Sequence, residues 1–77
     1  MNKFKFNLGD IVVSKEHQKN INYEYPIVLI TQHIEKQEKY SFTPILFYKV
    51  HILNYGTERT WNALHVDQLY EIVLERE

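Results

Sequence analysis

His17, His33, His51 and His65 are the side chains of this sequence best suited to holding a metal or moving a proton near neutral pH. They stand sixteen, eighteen and fourteen residues apart. None of these spacings is a local ligand pair, such as His-x-His or two histidines one helical turn apart, and there is no cysteine to complete a thiolate site. Ser14 lacks the glycine elbow that exposes a nucleophile, and with only Gly9 and Gly56 there is no glycine loop to cradle a phosphate. A chain of 77 residues also has little core to spare for a water-poor catalytic cleft. The sequence predicts a protein that is not an enzyme, with no metal and no cofactor, working by contact.

The residues suited to contact are aromatic. Four Phe, six Tyr and one Trp are more rings than a core of this size can hide. Tyr23, Tyr25, Tyr55 and Trp61 fall in polar loop or hairpin contexts, where rigid, amphipathic rings act as anchors for a partner protein. Phe47 joins them, because it has the opposite parity to the apolar series Leu46, Tyr48, Val50 and Ile52 and so points away from the core; Leu53 does the same. Outward apolar side chains of this kind suit a protein partner or a homodimer. Lys3, Lys5, Lys15 and Lys19 flank some of these rings, the mixture that single-strand nucleic-acid binders use, with bases on rings and cations along the backbone. Nine Lys and Arg against ten Asp and Glu, a formal net charge of -1, nevertheless exclude a strongly basic polyanion binder.

Positioning these side chains requires strands. Lys3 to Leu8 alternates, which predicts an extended segment with Phe4, Phe6 and Leu8 on one side. Gly9-Asp10 turns the chain into the β-branched run Ile11 to Val13. Ser14 to Glu24 reads as a long polar loop, long enough to be functional. A strand from Ile27 to Glu35 follows, with Ile34 in the parity of Val28 and Ile30, then a solvated turn over Glu35 to Ser41. The clearest strand is Ile45 to Leu53, joined through Asn54-Tyr55-Gly56-Thr57 to a returning arm, Glu58 to Asn62. Beyond Asn62, Val66, Leu69, Tyr70 and Val73 recur at helical spacing while Tyr70, Ile72 and Leu74 alternate. The favoured reading is a helical turn over Leu64 to Gln68 followed by a strand over Leu69 to Val73; the alternative is an α+β protein with one continuous C-terminal helix. No repeat or linker divides the chain, so residues 1–77 are read as one mostly β domain. No segment approaches the eighteen apolar residues of a membrane span, and the reading is a cytoplasmic protein with no membrane partner.

This order of elements, opened by Phe6-Asn7-Leu8-Gly9-Asp10-Ile11-Val12-Val13, resembles the SH3-like small β-barrels, in particular the KOW and Tudor-type forms. The resemblance implies a five-stranded barrel in which Ser14 to Tyr25 is the long first loop, Asn54 to Thr57 the distal hairpin and Leu64 to Gln68 the short turn before the last strand. The sequence lacks the acidic first-loop cluster and paired tryptophans of the domains that bind proline-rich peptides, since only Glu16 and Glu24 lie in that loop. Asn, Ile, Lys and Tyr, with A/T-rich codons, supply 27 residues against seven from Gly, Ala, Arg and Pro, which points to a low-GC bacterium, its plasmid or its phage. The functional expectation is a noncatalytic protein-interaction module, an accessory or phage factor that binds and modulates a host protein. The alternatives are a nucleic-acid-binding KOW-type barrel and a self-associating structural subunit.

Overall fold

The computed structural model describes residues 3–18 and 23–73. Lys19, named above as a candidate nucleic-acid contact, and Leu74 lie outside the described residues. β1 (Ile11–Ser14), β2 (Ile27–Lys36), β3 (Ile45–Ile52), β4 (Thr57–Asn62) and β5 (Tyr70–Ile72) form one antiparallel sheet in the order β4-β3-β2-β1-β5. A single 3₁₀ turn, Lys15–Gln18, opens the long first loop, and a seven-residue helix, α1 (Ala63–Leu69), joins β4 to β5. Among the described residues no strand pairing joins β4 to β5, so the sheet is open along that side. Among the described residues no helix is long and apolar enough to cross a membrane.

Each boundary has a local cause. Asn7 to Asp10 closes a turn in which the Asn7 N–H donates to Asp10 Oδ2 at 2.8 Å, and Gly9 takes a φ of +92° that a side chain would resist. The β3–β4 hairpin turns through Gly56 at φ +70°. At α1, Asn62 Oδ1 accepts from the Leu64 and His65 N–H groups at 3.0 and 3.4 Å, capping a helix that buries Ala63 and Val66. The helix ends at Tyr70, which is extended, and the chain pairs with β1 instead of continuing as a helix. The C-terminal region is therefore helix then strand, with α1 one residue longer at each end than its sequence reading.

Two expectations of side-chain direction are corrected. Leu8 sits in the turn and is 58% exposed, because the chain from Lys3 to Leu8 forms no strand; Phe6 is buried and Phe4 partly so. Ile34 does not keep the parity of Val28 and Ile30. The register of β2 against β3 shifts between Ile30 and Gln32, leaving Thr31 as an extra residue whose Oγ1 donates to the Lys49 carbonyl at 2.9 Å. Such a bulge reverses which residues face the core. Beyond it His33 lies opposite Tyr48, facing inward, and Ile34 opposite Phe47, facing outward.

The core is small and contiguous: Phe6, Val12, Val28, Ile30, Tyr48, Val50, Ile52, Ala63 and Val66, with Phe4, Leu46, Trp61 and Tyr70 packed against it. The N-terminal arm supplies two of its rings. Lys3 ion-pairs with Glu35, Phe4 stacks on His33 with ring centroids 4.0 Å apart, and Lys5 Nζ donates to the Asp67 carbonyl at 3.2 Å. The arm thereby ties β2 to α1 without being a strand.

Candidate functional site

The five aromatic residues singled out for partner contact do not form one surface. Tyr23, Tyr25 and Tyr55 come together at the end of the sheet where the first loop meets the β3–β4 turn. The Tyr23 and Tyr25 rings meet edge to face at 4.5 Å, and the Tyr55 hydroxyl donates to the Glu24 carbonyl at 3.2 Å. Tyr23 and Tyr55 are exposed and Tyr25 half-buried. An open groove of about 380 Å³ runs past Tyr23 and Tyr25, with Val13, Ile27 and Val73 as apolar wall and His17 and Glu24 also lining it.

Asn54 holds this end together. Its Oδ1 accepts from the Ile27 N–H at 2.9 Å while its Nδ2 donates to the Tyr25 carbonyl at 3.0 Å, so one amide clamps the loop to the hairpin. The sequence reading treated Asn54 as a turn residue. Its double use was invisible there because both partners lie 27 or more residues away. His17, also at this end, has Nδ1 3.1 Å from the Ser14 carbonyl, a contact in which the ring nitrogen donates.

Trp61 stands elsewhere. It lies opposite Tyr48 in the β3–β4 register and packs on the core, with its ring centroid 5.6 Å from that of Tyr70 across the open side of the sheet. The two rings line a second groove, of about 640 Å³, together with Thr60, Asn62, Leu64 and Gln68; His65 also borders it. Phe47 is on the outer face, half-buried against Ile34, Lys36 and Thr60. Leu53 is exposed.

The lysines are also dispersed. Lys3 and Lys5 reach Glu35 and α1, at the far end of β2 from Lys15, which follows β1 where β1 pairs with the start of β2. Eight residues of strand separate these ends, roughly 25 Å.

The Tyr48 hydroxyl belongs to a wholly buried side chain. It accepts from the Phe6 N–H at 3.0 Å and donates to Asp67 Oδ1 at 2.7 Å. Burial pushes this phenol up to about 12; the Phe6 N–H opposes it, and the Asp67 carboxylate that accepts its hydrogen bond adds to it. Burial raises Tyr70 in the same sense. His33, beside Tyr48, donates from Nε2 to the Phe6 carbonyl at 2.7 Å, which places its proton on that nitrogen. These groups are tied to one another and to the arm. Among the described residues no three His, Asp or Glu side chains converge as a metal site would require.

The most exposed rings escaped the sequence reading. Tyr40 and Phe42, 90% and 103% exposed, sit at the tip of the β2–β3 hairpin, with Lys39 Nζ 5.7 Å from the Tyr40 centroid. By sequence Glu35 to Ser41 reads as a solvated turn and both rings count only within the aromatic surplus, although an aromatic two residues from another in a strand-to-strand connection is signal enough to single them out. Comparison with protein-family models, curated proteins and solved structures finds no match to the chain.

Proposed function

We propose that this protein is a noncatalytic protein-interaction module, an SH3-like barrel left open between its last two sheet edges, and that the tyrosine end is its principal contact surface. The fold part of this reading is supported by the strand order β4-β3-β2-β1-β5 and by a short helix before the last strand. The observation that carries the functional part is the clamped group of Tyr23, Tyr25 and Tyr55 beside an apolar groove. Rings packed edge to face, or tied by a hydroxyl to backbone as Tyr55 is, lose less entropy on binding, so more of their area converts into affinity.

The test is capture from a low-GC bacterial lysate with the wild-type chain and with a Tyr23→Ala, Tyr55→Ala double variant. Both residues are exposed, so the variant should fold, which circular dichroism checks. A protein retained by wild type and lost with the variant is the expected result. If nothing retained depends on the tyrosines, the reading is wrong.

A further inference from the structure

β4 has the long free edge of this fold. It pairs with β3 in continuous register from Thr57 to Asn62, and among the described residues no strand borders its other side. Native sheet edges are usually blunted by brevity, proline, charged side chains or a bulge. The opposite edge, β5, is three residues long; β4 has six with no proline or bulge, and its charges are confined to its first half, so Thr60 to Asn62 carry none of those devices. Beside the second half of β4 lies the 640 Å³ groove of Trp61 and Tyr70. No carboxylate, ammonium or guanidinium group lines it, whereas the two charged residues of β4, Glu58 and Arg59, precede it.

We propose that this gap is a docking groove for an extended, uncharged segment of another polypeptide, which adds to the β4 edge as a sixth strand and rests apolar side chains on Trp61 and Tyr70. A free strand edge presents backbone donors and acceptors at the strand repeat, and only an extended main chain matches them. The rings and the exposed Leu64 favour apolar side chains at alternate positions of that segment. The lining holds no acid, Lys or Arg, so a charged side chain of the segment would lose hydration there and meet His65 as its one titratable neighbour besides the Tyr70 phenol. For the same reason a second copy of β4 is the poorer occupant, since it would carry Glu58 and Arg59 into the groove. The tyrosine end is a separate surface, and this inference does not depend on it.

Trp61 is the single tryptophan of the chain, so its emission reports occupancy. The probes are blocked hexapeptides alternating Thr with Val, Leu or Phe, titrated into the full chain. A saturable blue shift is expected with at least one of them. Methylating alternate amide nitrogens of that peptide, or replacing its central apolar residue with Lys, should weaken binding by about tenfold or more. Leu64→Glu in the protein should do the same, Leu64→Met should not, and the Tyr23→Ala, Tyr55→Ala variant should bind the peptide like wild type, which separates this result from the fate of the tyrosine end. The inference is overturned if no peptide gives a saturable shift up to about 1 mM, or if the methylated peptide binds equally well. It is equally overturned if the shift appears without peptide as protein concentration rises and light scattering reports a dimer, which would make the second copy the occupant.

Discussion

Tyr48 shows how much one residue carries in a core of this size. Its ring is wholly buried, and its hydroxyl both satisfies the Phe6 amide and reaches Asp67 on α1. Tyr48→Phe keeps the ring but leaves a buried N–H without its acceptor. The expected loss is about 1 to 3 kcal/mol in urea unfolding, larger than for Asp67→Asn, which retains an oxygen to accept. The same hydroxyl sets a pH dependence. The unfolded phenol ionises near 10.0 and the folded one near 12, so in that window the fold keeps a proton that the unfolded chain releases. Stability should be fully present below pH 10 and fall as pH rises from 10 to 12, by about 3 kcal/mol at most, with Tyr70 adding a loss of the same sign. Unfolding midpoints measured across that range test this, and Tyr48→Phe should show a shallower slope. Asn54 is the equivalent residue at the tyrosine end. Asn54→Ala removes two hydrogen bonds that cross the loop and should cost about 1 to 2 kcal/mol in the same assay.

At the scale of elements, strand positions were legible because alternation and β-branching are local. β3 announced itself through Leu46, Tyr48, Val50 and Ile52, and Asn62 followed by spaced apolar residues announced a capped helix. Asn62→Ala should lower stability by about 1 kcal/mol, read from a thermal melt. What was not legible depends on long-range pairing. Nothing local distinguishes Thr31 as an extra residue; the bulge exists because β2 must present Val28 and Ile30 to the core at one end and His33 to Phe4 at the other. Deleting Thr31 would close the bulge with Gln32 still opposite Lys49 and His33 still opposite Tyr48, so His33 keeps its stack and the Thr31 Oγ1 hydrogen bond is what is lost. A loss of about 1 kcal/mol is expected, measured by denaturant unfolding. The candidate site was half legible for the same reason: the sequence marked Tyr23, Tyr25, Tyr55 and Trp61 as surplus rings, but only the register reveals that Trp61 belongs to a different groove from the three tyrosines.

The molecule as a whole is longer than its residue count requires. Its principal extents are 44 × 24 × 23 Å and its radius of gyration 13.5 Å, against about 11.5 Å for a compact chain of this length. The ten-residue β2, about 33 Å of strand, accounts for much of the length and carries Tyr40 and Phe42 beyond the core. Replacing both with Ser should leave stability unchanged to within about 0.5 kcal/mol. The position of β1 has a further consequence, for the order of folding. β1 lies between β2 and β5, with Val12 opposite Ile72 sixty residues later. The β2–β3–β4 meander closes on local contacts, but one flank of β1 stays bare until β5 returns to it. A partly folded state lacking β5 therefore exposes an apolar edge at Ile11 to Val13, open to pairing with another chain.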